Sequence, residues 1–242
     1  MAPLVTSTVG DNPAMGSYAI KGGDGFTGIW CASARPLAEP SDNQVSRAIR
    51  TAHTCYIRGL REQWNYRTND GASWVHRRII IAAKGLANEL NALPESPPLY
   101  FEGATLGMTR ILGNQRGRPG ENRLFPVLFA GRNQVDYSGA LHAKVDTSRI
   151  TLLYDKRMTI RSGNDSAQYL NKRFWHPINK NIVYNNDENG DKESDDVTTV
   201  FSHLGKSGLG DVIVIDIIDC ADPSSTHTLT INPQATLYWH ER

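Results

Sequence analysis

An all-β sandwich is the fold class this sequence predicts, and two observations predict it. Short runs rich in Val, Ile, Thr, Tyr and Trp, roughly eight of them, follow one another, each bounded by Gly, Pro, Asn or Asp. Almost nowhere does the apolar pattern take the helical period of about 3.6 residues. Strands at such short spacing fit an eight-stranded sandwich of the jelly-roll kind, with long loops and at most short helices. A chain of 242 residues can form one such domain.

In chain order, residues 1–45 are rich in Gly, Pro, Ser and Asp and lack periodicity. They predict an extended arm with one or two short strands, packed on a β domain of residues 46–242. "CYIRGLREQWNYRT" from Cys55 reads as a strand, and "NDG" at 69–71 as a tight reversal, because Asp-Gly tolerates positive φ. "WVHRRIIIAAKG" resumes as a strand with a continuous apolar centre at Ile79, Ile80 and Ile81, so these two segments predict a strand pair with Arg-rich ends. Residues 85–100 read as a polar connection closed by "PESPPLY", whose prolines forbid regular pairing.

"TRILG" predicts a short strand, "NQRGRPGENR" a Gly/Arg loop, and "RLFPVLFAG" one or two turns of helix. "SRITLLYDKRMTIRSG" places Ile150, Leu152 and Tyr154 on one strand face, with a reversal near Asp155-Lys156. "YLNKRFWHPINKNIVYNNDENG" runs as a strand into an acidic loop. "GDVIVIDIID" reads as a strand buried on both sides, and "HTLTINPQATLYWHER" supplies the last strands.

Composition excludes several classes. No apolar stretch reaches the roughly 18 residues of a membrane span, and the opening Met-Ala-Pro-Leu-Val lacks the basic and apolar regions of a signal peptide. Cys31, Cys55 and Cys220 are too few and too scattered for a disulfide scaffold or a zinc site, and predict buried, reduced thiols. Net charge is only +1, but its distribution is uneven. Residues 55–84 carry Arg58, Arg61, Arg67, Arg77, Arg78 and Lys84 against Glu62 and Asp70, whereas residues 185–196 are acidic.

Three motifs could carry chemistry. Gly205-Lys206-Ser207 ends like a nucleotide-binding P-loop, but position 200 is Val instead of Gly, and a Val/Ile strand follows where a helix is required. Its glycines instead predict a tight entry into that strand. Asn185, Asp187, Asn189, Gly190, Asp191, Glu193 and Asp196 follow the spacing of a calcium loop. The loop starts on Asn, ends on Asp where a bidentate Glu is usual, and has no flanking helices, so a solvated acidic loop is expected. The seven histidines show no metal-ligand spacing and there is no nucleophile elbow, so no catalytic residue, metal or cofactor is expected. The positive signal lies in "IRGLREQWNYR", "WVHRR" and "NKRFWH", where cations for phosphate stand beside rings on which bases stack.

The segment "CYIRGLREQWNYRTNDGASWVHRRIIIAAKG" resembles the capsid protein of the genomoviruses, small circular single-stranded DNA viruses of the gemycircularvirus group. The resemblance recurs at "TLLYDKRMTIRSGND", "WHPINKNIVYNNDENG", "GKSGLGDVIVIDI" and "ATLYWHER", and so covers about residues 50 to 242. It implies a jelly-roll coat protein without enzymatic activity, about sixty copies of which close into the smallest icosahedral shell, T=1, around a circular single-stranded DNA genome. Implied too are assembly in or near the host nucleus, a place in the virion, and a host receptor or import factors as further partners. Family members usually begin with an Arg/Lys/Ser-rich arm, whereas residues 1–54 here hold four basic and four acidic side chains. Either a disordered basic tail belongs in front of this sequence, which is the simpler expectation, or this protein packages DNA differently.

On this reading Arg47, Arg50, Arg58, Arg61, Arg78, Lys172 and Arg173 neutralise phosphates, and Trp175 stacks on a base. Two alternatives come from other classes. One is a jelly-roll ligand- or receptor-binding module acting as a monomer or small oligomer; the other is a nucleotide hydrolase using Lys206.

Overall fold

The computed structural model describes residues 4–5, 14–37, 49–103, 107–188 and 196–241. Four short strands, β1 (Leu4–Val5), β2 (Ala14–Met15), β3 (Tyr18–Lys21) and β4 (Phe26–Cys31), precede two long ones, β5 (Thr54–Thr68) and β6 (Trp74–Ala83). The middle holds helix α1 (Leu86–Asn91), β7 (Phe101–Gly103), β8 (Gly107–Thr109), β9 (Ile111–Leu112) and helix α2 (Pro119–Leu128). Then come β10 (Thr151–Ile160), β11 (Tyr169–Glu188), β12 (Asp196–Ser202), β13 (Asp211–Cys220) and β14 (Thr228–Glu241).

Two antiparallel sheets carry the fold. One has the order β10-β6-β13-β4, the other β12-β11-β5-β14-β3. Strand β13, late in the chain, lies between β6 and β4, the long-range return of a Greek key, so the chain is an all-β jelly-roll-type sandwich with few helices.

Burial explains why the strands differ in sequence. The four-stranded sheet is covered on both faces. On one side Ile80, Val212 and Val214 pack against Ile57, Leu60 and Ile182 of the other sheet. On the other, Ile79, Ile81, Ile213 and Ile215 pack under Leu86 and Leu90 of α1 and Leu124 and Leu128 of α2. A strand buried on both faces needs no polar alternate, hence "RIIIAA" and "VIVIDII". The five-stranded sheet is covered on its inner face, so β5 alternates buried Trp64 and Tyr66 with half-buried Gln63 and Asn65 and exposed Arg67.

The structure revises the sequence reading at several points. The Asp-Gly turn does not close a hairpin: β5 pairs with β11 and β14, β6 with β10 and β13, so the turn carries the chain from one sheet to the other. The segment expected as an arm contributes β3 and β4, and β4 is buried along its whole length at the edge of the four-stranded sheet. Residues 85–100 contain α1, anchored by Leu86, Ala87 and Leu90. Helix α2 starts at Pro119, inside the expected Gly/Arg loop, because a proline in the first turn forgoes an N–H that has no partner there.

No reversal occurs at Asp155-Lys156, since β10 runs unbroken from Thr151 to Ile160. A register shift between Leu152 and Tyr154 sets Leu152 opposite Ile81 and Tyr154 opposite Ile80. The bulge therefore turns these two residues to opposite faces, against the simple alternation.

Candidate nucleic-acid interface

The outer face of the five-stranded sheet is set by the register of its three central strands. Across β11 and β5, Tyr169 stands opposite Arg67, Asn171 opposite Asn65, Arg173 opposite Gln63, and Trp175 opposite Arg61. On the far side of β5, Arg61 faces Thr236, Gln63 faces Gln234, and Gly59 faces Tyr238. Asn171 Nδ2 donates to Asn65 Oδ1 at 2.7 Å, tying the middle of the face together. Arg58, Arg61, Arg67 and Arg173 are exposed. The single acid within residues 54–68, 169–181 and 228–240 is Glu62, which is buried on the inner face. Within those segments, four exposed guanidiniums therefore have no exposed carboxylate to neutralise them.

Trp175 and Tyr238 are two of the larger exposed rings, and they meet edge to face with centroids 5.8 Å apart. Gly59 lies between their strands and makes this contact fit. A Cβ there would fall 2.7 Å from the Trp175 ring carbons and 2.7 Å from the His176 carbonyl oxygen. The edge of the indole thus rests against bare backbone, and about half of the side chain (46%) stays open to solvent. An open aromatic platform beside unneutralised arginines can stack a base and bind its phosphate.

Alternation separates residues that are neighbours in sequence. Arg173 and Trp175 lie on the outer face, whereas Lys172, opposite Trp64, lies on the inner side at the open margin of β11. Arg58 is exposed and donates to Asn179 Oδ1. Arg47 falls outside the described residues.

Two of the residues expected to meet DNA are spent inside the fold. Arg50 is buried, donates to the carbonyls of Arg35, Ala52 and Thr199, and lies 4.2 Å over the Tyr184 ring. Arg78 is buried between the sheets in a cluster with Arg110, Glu62 and Asp216. Arg78 pairs with both Glu62 and Asp216, while Arg110 reaches Glu62 at 3.1 Å and Asp216 at 2.6 Å. His76 Nε2 donates to Asp216 Oδ1 at 2.8 Å, and the Tyr66 hydroxyl donates to His76 Nδ1 at 2.9 Å.

Burial would push the Glu62 and Asp216 carboxyls up, but the Arg78 and Arg110 guanidiniums beside them hold both below the usual carboxylate range. Burial lowers His76, outweighing its bond to Asp216, so this imidazole stays neutral at pH 7. Two cations and two anions balance with nothing left over for a phosphate. Neither arginine is available to a ligand, and through Arg78 on β6 the cluster links Glu62 of one sheet to Asp216 of the other.

Two residues on the outer face escaped sequence reasoning. Arg67 lies six positions after Arg61, an even offset within one strand, so the alternation could have placed it on the same face. Tyr238 gave no such signal, because only the pairing of β14 with β5 brings it near Trp175.

The P-loop-like letters form a strand entry. Lys84 Nζ donates to the Gly205 and Ser207 carbonyls, and the Leu209 amide donates to Asn181 O at 2.9 Å. Gly208 and Gly210 adopt φ of 77° and 95°, which only glycine takes without strain. Lys206 is exposed, and β13 follows directly. The Gly205 and Leu209 amides are already bonded within the fold, and a strand follows where a phosphate-binding loop needs a helix. The calcium-like spacing at 185–196 includes residues 189–195, which lie outside the described residues. Cys31, Cys55 and Cys220 are free thiols; burial pushes Cys31 up to about 12 and Cys55 up to about 11, so both stay protonated.

No protein-family model matches this chain, and no curated protein matches it.

Proposed function

We propose that this chain is a coat protein that assembles with copies of itself into a small icosahedral T=1 shell and encloses single-stranded DNA. The observation that carries the reading is the outer face of the five-stranded sheet: four exposed arginines, no exposed carboxylate within residues 54–68, 169–181 and 228–240, and the Trp175–Tyr238 pair seated on Gly59. The five sequence blocks that resemble genomovirus capsid proteins and the jelly-roll-type sandwich support it.

On this reading the outer face lines the inside of the shell. Phosphates meet Arg58, Arg61, Arg67 and Arg173, and bases stack on Trp175 without sequence readout. The protein acts by assembly and charge neutralisation, needs no cofactor or catalytic residue, and belongs in the virion after assembly in the host nucleus.

Size-exclusion chromatography and negative-stain microscopy of the purified chain test the assembly. Closed particles of uniform diameter are expected, with nucleic acid inside. Particles of Arg61→Glu with Arg173→Glu should show a lower ratio of absorbance at 260 nm to that at 280 nm. A monomer that persists across pH and salt would overturn the coat-protein reading in favour of a monomeric binding module.

A further inference from the structure

A second basic surface lies at the open side of the sandwich. Strand β10 is an edge strand, paired only with β6. Strand β11 carries β12 only along its far end, from Tyr184 to Glu188, so among the described residues its first half also has a free edge. Between these edges runs a groove of two adjoining cavities that share Lys172.

The two cavities differ in chemistry. The first, about 240 Å3, is lined by Tyr154, Met158 and Phe174 together with the cations Arg78, Lys156, Arg157 and Lys172, and the Lys156 ammonium lies 5.8 Å over the Tyr154 ring. Arg78 is already balanced by Glu62 and Asp216, so it adds no free charge. The second, about 490 Å3, is lined by Thr159, Arg161, Gln168, Leu170 and Lys172. Neither cavity is lined by Asp or Glu among the described residues. Lys156, Arg161 and Lys172 are exposed cations, and no ion pair to a carboxylate is seen for them among the described residues.

The sizes decide what fits. The first cavity is smaller than the ~300–1,000 Å3 of sites that enclose a drug-sized ligand. It suits one flat ring, with the rest of the molecule lying outside. An aromatic-walled slot opening beside an acid-free basic trough matches a base joined to a sugar phosphate. We propose that this groove seats one unstacked nucleotide of a single-stranded nucleic acid. The base lies against Tyr154 and Phe174, and the phosphate lies at Lys172 and Arg161. The inference rests on the DNA-binding reading above but names a different surface, reached around the free edge of β11.

Photo-crosslinking of the full chain to a short oligothymidylate carrying halogenated deoxyuridine separates the two surfaces. Tyr154 lies in a β10 peptide and Tyr238 in a β14 peptide, so mass spectrometry distinguishes groove from sheet face. The expected result is crosslinks on the β10 peptide, competed by thymidine monophosphate and not by equal inorganic phosphate. Lys156→Ala with Lys172→Ala, two exposed positions, should lower that yield about ten-fold and spare the β14 crosslink. Phe174→Leu, which keeps apolar volume and loses the ring, should also lower it about ten-fold.

Crosslinks on the β14 peptide alone would overturn the groove and leave the sheet-face reading standing. Equal competition by inorganic phosphate would reduce the groove to an anion site and overturn the base slot. Crosslinks on neither peptide would overturn both readings.

Discussion

Removing Arg61 and Arg173 together, as alanines, tests how the outer sheet face holds DNA. Both side chains are exposed and outside the buried charge cluster, so the double variant should fold with a cost within about 1 kcal/mol in total. On single strands each phosphate contact contributes about −0.7 to the slope of log K against log salt. Losing two contacts should make the slope shallower by about 1.4. Over a four-fold rise in salt, from about 50 to about 200 mM, the variant should then lose roughly seven-fold less affinity than the parent loses.

The assay is fluorescence anisotropy of a labelled oligothymidylate titrated with unassembled chain at several salt concentrations. Arg123→Ala serves as the control, because that arginine is already paired with Glu89 at 2.6 Å on α1 and should leave the slope unchanged. Trp175→Ala should weaken binding by about 1–3 kcal/mol at every salt concentration with no change in slope, since stacking carries no counterions. An unchanged slope in the double variant, or an equal change in the Arg123 control, would refute the assignment of the phosphates to this face.

Three further outcomes follow from the interior. Gly59→Ala should cost about 1–3 kcal/mol and alter tryptophan emission, because its Cβ meets both the Trp175 ring and the His176 carbonyl; a parent-like melting curve and spectrum would count against the seat. Asp216→Asn leaves one buried guanidinium unbalanced and should cost about 3–5 kcal/mol, or roughly 6–20 °C in Tm. Adding Arg110→Met restores charge balance and should recover more than half of it in urea unfolding; a single-variant loss under about 1 kcal/mol would mean that water reaches the cluster. Burial raises Asp211 from 3.8 to about 6, so the stability it lends is full below its unfolded pKa and is lost as pH rises through about 6. Asp211→Asn keeps an acceptor for the Ser202 amide and should gain about 1–3 kcal/mol near pH 7.5 but little near pH 4, and an equal gain at both would sink the assignment.

The sandwich was legible because burial writes itself into strand sequences. "VIVIDII" and "RIIIAA" announce a sheet covered on both faces, and the alternation of β5 announces one covered on a single face. Pairing was less legible. An Asp-Gly turn between two apolar runs is the ordinary sign of a hairpin, and only the tertiary fold sends β5 and β6 into different sheets. Helix α1 is six residues long with three buried contacts, too short to establish a helical period.

The candidate site was half legible for a related reason. Arg-rich composition pointed to strands that carry exposed arginines but gave no sign of which arginines the core would claim. Arg78 needs Glu62 on β5, Asp216 on β13 and Arg110 after β8, partners separated in sequence by 16, 138 and, from Glu62 to Arg110, 48 positions. No local pattern announces such a cluster. Arg50 is claimed by backbone carbonyls, which leave no trace in the sequence at all.

The two proposed surfaces meet along one strand. From Lys172 to Trp175, β11 presents Lys172 and Phe174 to the groove and Arg173 and Trp175 to the outer face, because each step along a strand reverses the side. Among the described residues, the edge of β11 that separates them has no partner strand over this stretch. A single strand of DNA lying on the Trp175 platform can therefore bend around that edge and drop its next base against Phe174. Such a path uses both faces of one strand, and it requires that no strand pair with β11 there. On the proposed path, the short overlap of β12, which covers only Tyr184 to Glu188, leaves the passage open; a β12 extended toward Trp175 would close it.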